Sequence, residues 1–309
     1  MRNDLSHAYN IQASKNHMNK HLLILGCGYV GTKLAKACLE LGFQVSGTTR
    51  NKEHAHALKE IGISPIIITS PSDINVAILE QTTHLVDSIP LTRNANSMAA
   101  SQTQWLTILA PKLQHLTWAG YLSTTGVYGD AAGAWVDESY DCQPSSPRGI
   151  ERLKAEQAWL DSGLYAEVFR LAGIYGPERN IINRLHAGDY KAVQWNPPHY
   201  SSRIHVDDIV AALLAAMQSP RAGRVVNIAD DLPLPHAEYV DQLAAMIDAP
   251  KPIILSPEEG ESQLSPTVLS FFSDNKRISN QRLHDELLPK LHYPSFKEGM
   301  LAILNHKEN

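Results

Sequence analysis

Cysteine is scarce in this chain: Cys27, Cys38 and Cys142 are three in 309 residues, and no two of them make a CxxC pair. An odd, sparse set excludes a disulfide framework and a zinc knuckle and fits a reducing compartment. An excess of cations is lacking too. The 27 Lys and Arg stand against 32 Asp and Glu, for a formal net charge of −5. That balance argues against nucleic acid or an anionic membrane as partner, since both bind to clustered Lys and Arg. No apolar run approaches the roughly 18 residues of a spanning helix, and the longest, Ile209 to Met217, reads as a buried amphipathic helix. The polar stretch Met1 to Lys20 has no secretory core. Because Met18 stands just before the first apolar run, residues 1–17 are expected to be a disordered extension. No internal repeat is visible. His54 and His56 fall on different faces of one polar helix, so no metal site is expected. These absences leave a cytoplasmic protein with a small-molecule substrate.

At 43% hydrophobic and 19% charged residues, the chain can bury a substantial core. Its length fits two domains, or one α/β domain with an added lobe. The stretch His21 to Arg50 organises the rest. The apolar run Leu22 to Leu25 leads into Gly26-Cys27-Gly28-Tyr29-Val30-Gly31, a helix-periodic segment follows to Gly42, and Phe43 to Thr48 is β-rich. Strand, glycine turn, helix, strand is the order of a dinucleotide-binding unit. Gly26 permits the tight turn, Gly28 admits a pyrophosphate to the backbone, and Gly31 lets the helix lie close on the sheet. The helix N-terminus supplies positive dipole.

Further strands are expected at Ile63 to Thr69, buried on both faces, and at His84 to Ile89, Leu116 to Thr124, Ala166 to Leu171 and Arg224 to Ala229. Helices are expected over Asn51 to Ile61, from Pro71, over Asn96 to Gln114, from Pro147 to about Asp161, and over Ile209 to Met217 with Asp207 as its N-cap. Alternation at this spacing predicts an α/β fold: a Rossmann-type doubly wound parallel sheet with a smaller C-terminal substrate lobe. The expected Rossmann domain covers 18–173 and also receives about 203–229. The lobe takes 174–202 and 230–309. The tail reads as a short strand after Asp274, a helix from Asn280, and an amphipathic helix after Tyr293-Pro294. Ligands are expected beyond the strand ends, between the lobes.

Four landmarks in order carry a family resemblance: the glycine turn, Ser123-Thr124-Thr125-Gly126-Val127-Tyr128-Gly129, Phe169 to Pro177, and Ile204-His205-Val206-Asp207-Asp208. They resemble the extended short-chain dehydrogenase/reductase superfamily, in its NAD(P)-dependent epimerase/dehydratase-like branch. The chain is most similar to the atypical subgroup with GxGxxG. The resemblance implies cofactor contacts at Gly26, Gly28, Tyr29, Val30, Gly31, Thr49, Arg50, Ser88 and Ser123. It also implies a hydroxyl at Thr124 that orients a substrate oxygen.

The family's chemistry uses a tyrosine and a lysine four residues apart on one helix face. Matching Pro147, Gly149 and Glu156 places Arg148 at the tyrosine and Arg152 at the lysine. A two-residue shift to use Lys154 puts Ile150 at the tyrosine, so neither register restores the acid. An arginine stays charged and cannot shuttle that proton. The pair Arg148 and Arg152 either clamps a phosphate or carboxylate or lies solvated beside Glu151 and Glu156.

Thr48-Thr49-Arg50 ends the second strand without the acid that an NAD ribose wants, which favours NADP over NAD. His205 is expected to pack against the sheet and Cys27 to fill space. Arg203 is two residues away from the family's phosphate-binding arginine position, at Ser201, and His199 and Tyr200 beside Trp195 are candidates for lining the cleft. The expected function is an NAD(P)-binding oxidoreductase or epimerase-like enzyme acting on a small polar carbonyl or hydroxyl compound. The alternative is a non-catalytic NADP(H)-binding or redox-sensing protein. Relatives of this kind often dimerise through the helices at the Tyr/Lys position, so a homodimer is the assembly allowed.

Overall fold

The computed structural model describes residues 20–90 and 105–307. The expected extension 1–17 and the first half of the Asn96 to Gln114 helix lie outside those residues. From 105 the second half is helical and tightens to a 3₁₀ turn at Ala110–Lys112, where Pro111 has no N–H to continue the α-helical ladder.

Seven parallel strands form the central sheet. They are β1 (His21–Leu25), β2 (Gln44–Thr49), β3 (Ser64–Ile67), β4 (His84–Asp87), β5 (Trp118–Thr124), β6 (Ala166–Leu171) and β7 (Val225–Ile228). Their spatial order is β3-β2-β1-β4-β5-β6-β7. The chain therefore winds outward from β1, returns, and winds the other way from β4. The reversal between β1 and β4 is the switch point at which α/β sheets open a crevice.

On one face lie α1 (Tyr29–Glu40), α2 (Lys52–Glu60) and α5 (Val206–Gln218), packed through Leu34, Leu58 and Leu213. The other face carries α3 (Val76–Gln81) and α4 (Pro147–Leu160), through Leu79 and Trp159. A third apolar cluster, with Tyr175, Leu185, Val240 and Phe296, belongs to the smaller lobe. There α6 (His236–Met246) and α7 (Phe296–Lys307) pack beside short strand pairs. Among the described residues no helix is long and apolar enough to cross a membrane.

Two expectations are corrected. The isoleucine run at Ile63 to Thr69 is not buried on both faces: β3 is the edge strand, and Ile67 is 49% exposed. Pro65 within it has no N–H for a further neighbour, which suits an edge. The N-cap of α5 is His205 rather than Asp207, because His205 Nδ1 accepts from the Asp207 amide at 3.2 Å. The His205 ring also packs on Tyr175 and, at 4.1 Å between centroids, on Tyr293. Asp208, fully buried, accepts from the amides of His292 at 2.7 Å and Tyr293 at 3.1 Å. Those bonds fasten the tail to the start of α5.

Candidate active site

The three glycines of the turn do three different things. Gly26 sits at φ +75°, and a Cβ there would come within 3.0 Å of the Ile89 backbone. Gly31 would put its Cβ 3.0 Å from Ile24 Cγ2, so α1 rests directly on β1. At Gly28 a Cβ would meet only the Gly26 carbonyl, at 3.9 Å, and would otherwise project into open space. The end of β2 holds this turn in place: Gly26 N donates to Thr48 Oγ1 at 2.7 Å and Cys27 N to Thr48 O at 2.9 Å. Cys27 fills the space above Gly47, and burial pushes its thiol up to about 11. No side chain caps the first amides of α1, whose N-cap is Gly28. Those donors and the helix dipole are left for an anion.

A cavity of about 1080 Å³ opens from this turn, beyond the C-terminal ends of β1, β2, β4 and β5. Gly26, Gly28, Tyr29, Val30, Thr49, Arg50, Ser88 and Ser123 all line it, as do Thr124, Arg148 and Arg152. Gly31 stands one helical step behind, in its packing role. Four arginines border the cavity, Arg50, Arg148, Arg152 and Arg179, and no Asp or Glu is among the described lining residues. Tyr29 donates its hydroxyl to Pro177 O at 2.7 Å, which draws the Gly176 to Arg179 loop across the turn. Burial, with the Asp207 charge nearby, pushes this phenol up to about 12. His54 Nε2 donates to Cys27 O at 2.7 Å, bracing the loop from α2.

At the far end β5 meets α4. Ser123 Oγ donates to Glu156 at 2.5 Å, and Glu156 takes Arg170 Nη2 at 2.8 Å and Nε at 3.2 Å. Thr124 Oγ1 accepts from Gly126 N at 3.2 Å, and no acceptor among the described residues takes its proton. Of the two possible registers, only one reaches the cavity. Lys154 ion-pairs with Glu151 at 2.8 Å on the outer face, and Ile150 is exposed. Arg148, Gly149 and Arg152 face the cavity. Arg152 is 7% exposed, so the solvated reading fails for it, whereas Arg148 at the mouth is exposed.

A side chamber of about 280 Å³ adjoins, sharing Thr125, Gly126, Gly173 and Phe271 with the larger cavity. His199 and Tyr200 line it; Trp195 packs on Phe272 instead. Lys276 is buried there, donating to Gly129 O at 2.7 Å with Asp274 at 3.8 Å, and burial holds its ammonium below the usual lysine range. Arg203 points elsewhere, with its guanidinium carbon 3.4 Å from the centroid of the Tyr239 ring. No sequence landmark points to Lys276 or Arg179 as part of the site. Arg179 follows a landmark motif and was within reach of it, but Lys276 meets Gly129 across 147 positions, which no local pattern foreshadows.

The switch-point crevice, the glycine turn and the cavity beyond the strand ends define a dinucleotide-binding α/β fold of the short-chain dehydrogenase/reductase type. Residues 22–229 match the model of the NAD dependent epimerase/dehydratase family, and the chain belongs to that family. The solved structure of a functionally unknown conserved protein from Silicibacter pomeroyi DSS is 34% identical. It has a TM-score of 0.84, over 93% of this chain and 99% of that one. Protein YeeZ of Escherichia coli strain K12 is 26% identical over 292 residues, 89% of this chain and 97% of the relative. A 3-diazoavenalumate denitrifying reductase of Streptomyces sp is 24% identical over 308 residues, 90% of this chain and 98% of the relative.

Proposed function

We propose that this protein is a nicotinamide-dinucleotide-dependent oxidoreductase that uses NADP in preference to NAD and acts on a small polar carbonyl or hydroxyl compound. The observation that carries the reading is the single cavity of about 1080 Å³ that runs from the glycine turn to Thr124 at the end of β5. Its volume suits a dinucleotide with room for a reacting group, and Gly28 leaves the approach to the backbone open. Family membership supports a nicotinamide cofactor, and the reductase among the relatives supports hydride chemistry.

The NADP preference rests on the end of β2. Arg50 and Thr49 line the cavity there and no carboxylate does, so a 2′-phosphate meets a cation rather than repulsion. The residues of the glycine turn and Arg50 would hold a nicotinamide dinucleotide, which in its reduced form would supply the hydride. The chain's part is to hold and polarise the substrate. Thr124, its Oγ1 fixed by the Gly126 amide, donates its proton in a hydrogen bond to the substrate oxygen. The guanidinium groups at the far end stabilise the negative charge that develops there, and solvent provides the proton that a tyrosine supplies elsewhere in the family.

Equilibrium titration of the purified protein, read by the fluorescence of the reduced nicotinamide, tests this. NADPH is expected to bind more tightly than NADH. Arg50→Ala should remove about tenfold or more of the NADPH affinity and leave NADH unchanged. No binding of either nucleotide overturns the reading, and equal affinities overturn the preference.

A further inference from the structure

We propose that Arg152, with Arg148 at the mouth, forms a carboxylate-binding site at the nicotinamide end of the cavity, so that the substrate is a small organic acid. The inference rests on the oxidoreductase reading above and names its substrate class.

The first observation is a buried cation without a counter-ion. Arg152 is 7% exposed, and its Nη1 donates to two neutral acceptors, the Tyr121 hydroxyl at 2.9 Å and Leu122 O at 3.2 Å. Its Nε has no partner, and no carboxylate among the described residues forms an ion pair with it. Buried charges are normally paired, because an unpaired one forfeits its hydration without return. Two buried carboxylates of the same region are engaged elsewhere. Glu156 holds Arg170 and Ser123, while Asp87 accepts from Ile89 N and the Trp159 indole. The chain thus carries the desolvation cost of Arg152 where the guanidinium borders a ligand cavity.

The second observation is where that charge lies. In the sheet, β5 is three places from β2, about 14 Å at ~4.8 Å per strand. A dinucleotide laid across the switch point puts its 2′-phosphate near Arg50 and its pyrophosphate at the glycine turn, where Arg179 also borders the cavity. Nothing in the cofactor offers an anion at the β5 end, and an oxidised nicotinamide ring is itself cationic. The counter-ion for Arg152 therefore belongs to the substrate. One buried guanidinium, fixed on one edge by β5, suits a single planar monoanion, and the planar fork matches a carboxylate. Thr124 borders the same end of the cavity, so the acid would sit within reach of the hydroxyl that orients its reacting oxygen. The adjoining chamber of about 280 Å³ receives the rest of the molecule.

The test is a binding measurement on the full chain, with and without saturating NADPH, using benzoate, benzamide and inorganic phosphate as probes in calorimetric titrations. Benzoate is expected to bind at least about tenfold more tightly than its neutral amide, with phosphate weaker than benzoate. Arg152→Gln should abolish that discrimination while NADPH affinity stays within about threefold of the wild type. Because Arg152 is buried, Arg148→Gln at the exposed mouth is measured as well. It should narrow the benzoate-to-benzamide ratio while NADPH affinity stays within about threefold of the wild type. Equal binding of benzoate and benzamide, no binding of benzoate, preference for phosphate, or an undiminished ratio in folded Arg152→Gln overturns the proposal. Loss of NADPH binding by the wild type overturns the oxidoreductase reading instead, and the ratio in the free protein still decides the anion site.

Discussion

Replacing Glu156 by glutamine perturbs the buried support beneath the candidate site. The Glu156 carboxylate, 2% exposed, accepts from two nitrogens of Arg170, with Nε shared between its oxygens, and from the Ser123 hydroxyl. The glutamine amide keeps nearly the same shape but removes the charge, leaving the Arg170 guanidinium in the interior over the Tyr128 ring. Breaking one side of a buried pair costs about 3–5 kcal/mol, because the remaining charge is left desolvated. At an unfolding entropy of about 2.1 cal/mol/K per residue, a chain of 309 residues melts with about 0.65 kcal/mol/K. The expected loss in melting temperature is therefore about 5–8 °C. Urea titration with near-ultraviolet circular dichroism measures the free energy, and calorimetry measures the temperature. The double replacement Glu156→Leu with Arg170→Met removes both charges, and apolar pairs of similar volume are close to neutral. It should recover most of the loss. A glutamine variant within about 1 kcal/mol of wild type, or a double variant no better than the single one, refutes the reasoning.

The glycine turn predicts a split between stability and binding. Gly31→Val drives side-chain atoms against Ile24 and should cost about 1–3 kcal/mol of overpacking, read by urea titration. Gly28→Ala meets nothing closer than 3.9 Å, so it should melt near wild type yet weaken NADPH, because its methyl occupies the pyrophosphate approach. The tail contact predicts a pH dependence. The hydrogen bond that the His292 ring donates to the Asp208 carboxylate raises the His292 pKa above its ordinary value, against the opposing pull of burial. The native value is thus the higher one. The contact contributes fully below the unfolded value of about 6.5 and fades as pH rises through the raised native value. Melting curves across that window should fall with pH in the wild type, and this component should vanish in His292→Asn. A parallel slope in both proteins would refute the assignment.

What could be read in the sequence is what is encoded locally. The glycine turn, β1, α1 and the helix from Pro147 follow from periodicity and caps within a dozen residues, and each stands where its pattern places it. The helix at Pro147 also shows the limit. Its sequence left two registers open, and only packing against β5 turns Arg152 inward and Lys154 outward. Edge position is likewise a property of the whole sheet: Ile63 to Thr69 looks like a core strand, yet among the described residues no strand pairs beyond it. His205 took the cap expected of Asp207 because its ring, held between Tyr175 and Tyr293, presents Nδ1 to the first amides of α5. The side chamber joins Gly126, His199 and Lys276 from three distant segments, and no spacing rule connects them.

Two arginines at the helix positions where the family resemblance places a tyrosine and a lysine would separate two tasks that one helix face performs in such enzymes. A positioned general acid contributes about 10²–10⁴ in rate, whereas preorganised charge at a developing oxyanion commonly contributes more. An arginine gives up the first and keeps the second. That exchange is affordable when the substrate carries its own anion, because the same guanidinium that neutralises the carboxylate also fixes the molecule against Thr124. For a neutral sugar hydroxyl it is not, since the proton has to be removed by a base that neither Arg148 nor Arg152 provides. The substitution therefore argues against sugar oxidation and for reduction of an acid-bearing substrate, where hydride arrives first and the proton comes from solvent. It also weighs against the regulatory reading: a protein that only sensed its nucleotide would have no use for an unpaired guanidinium buried at the end of the cavity where the cofactor carries no phosphate.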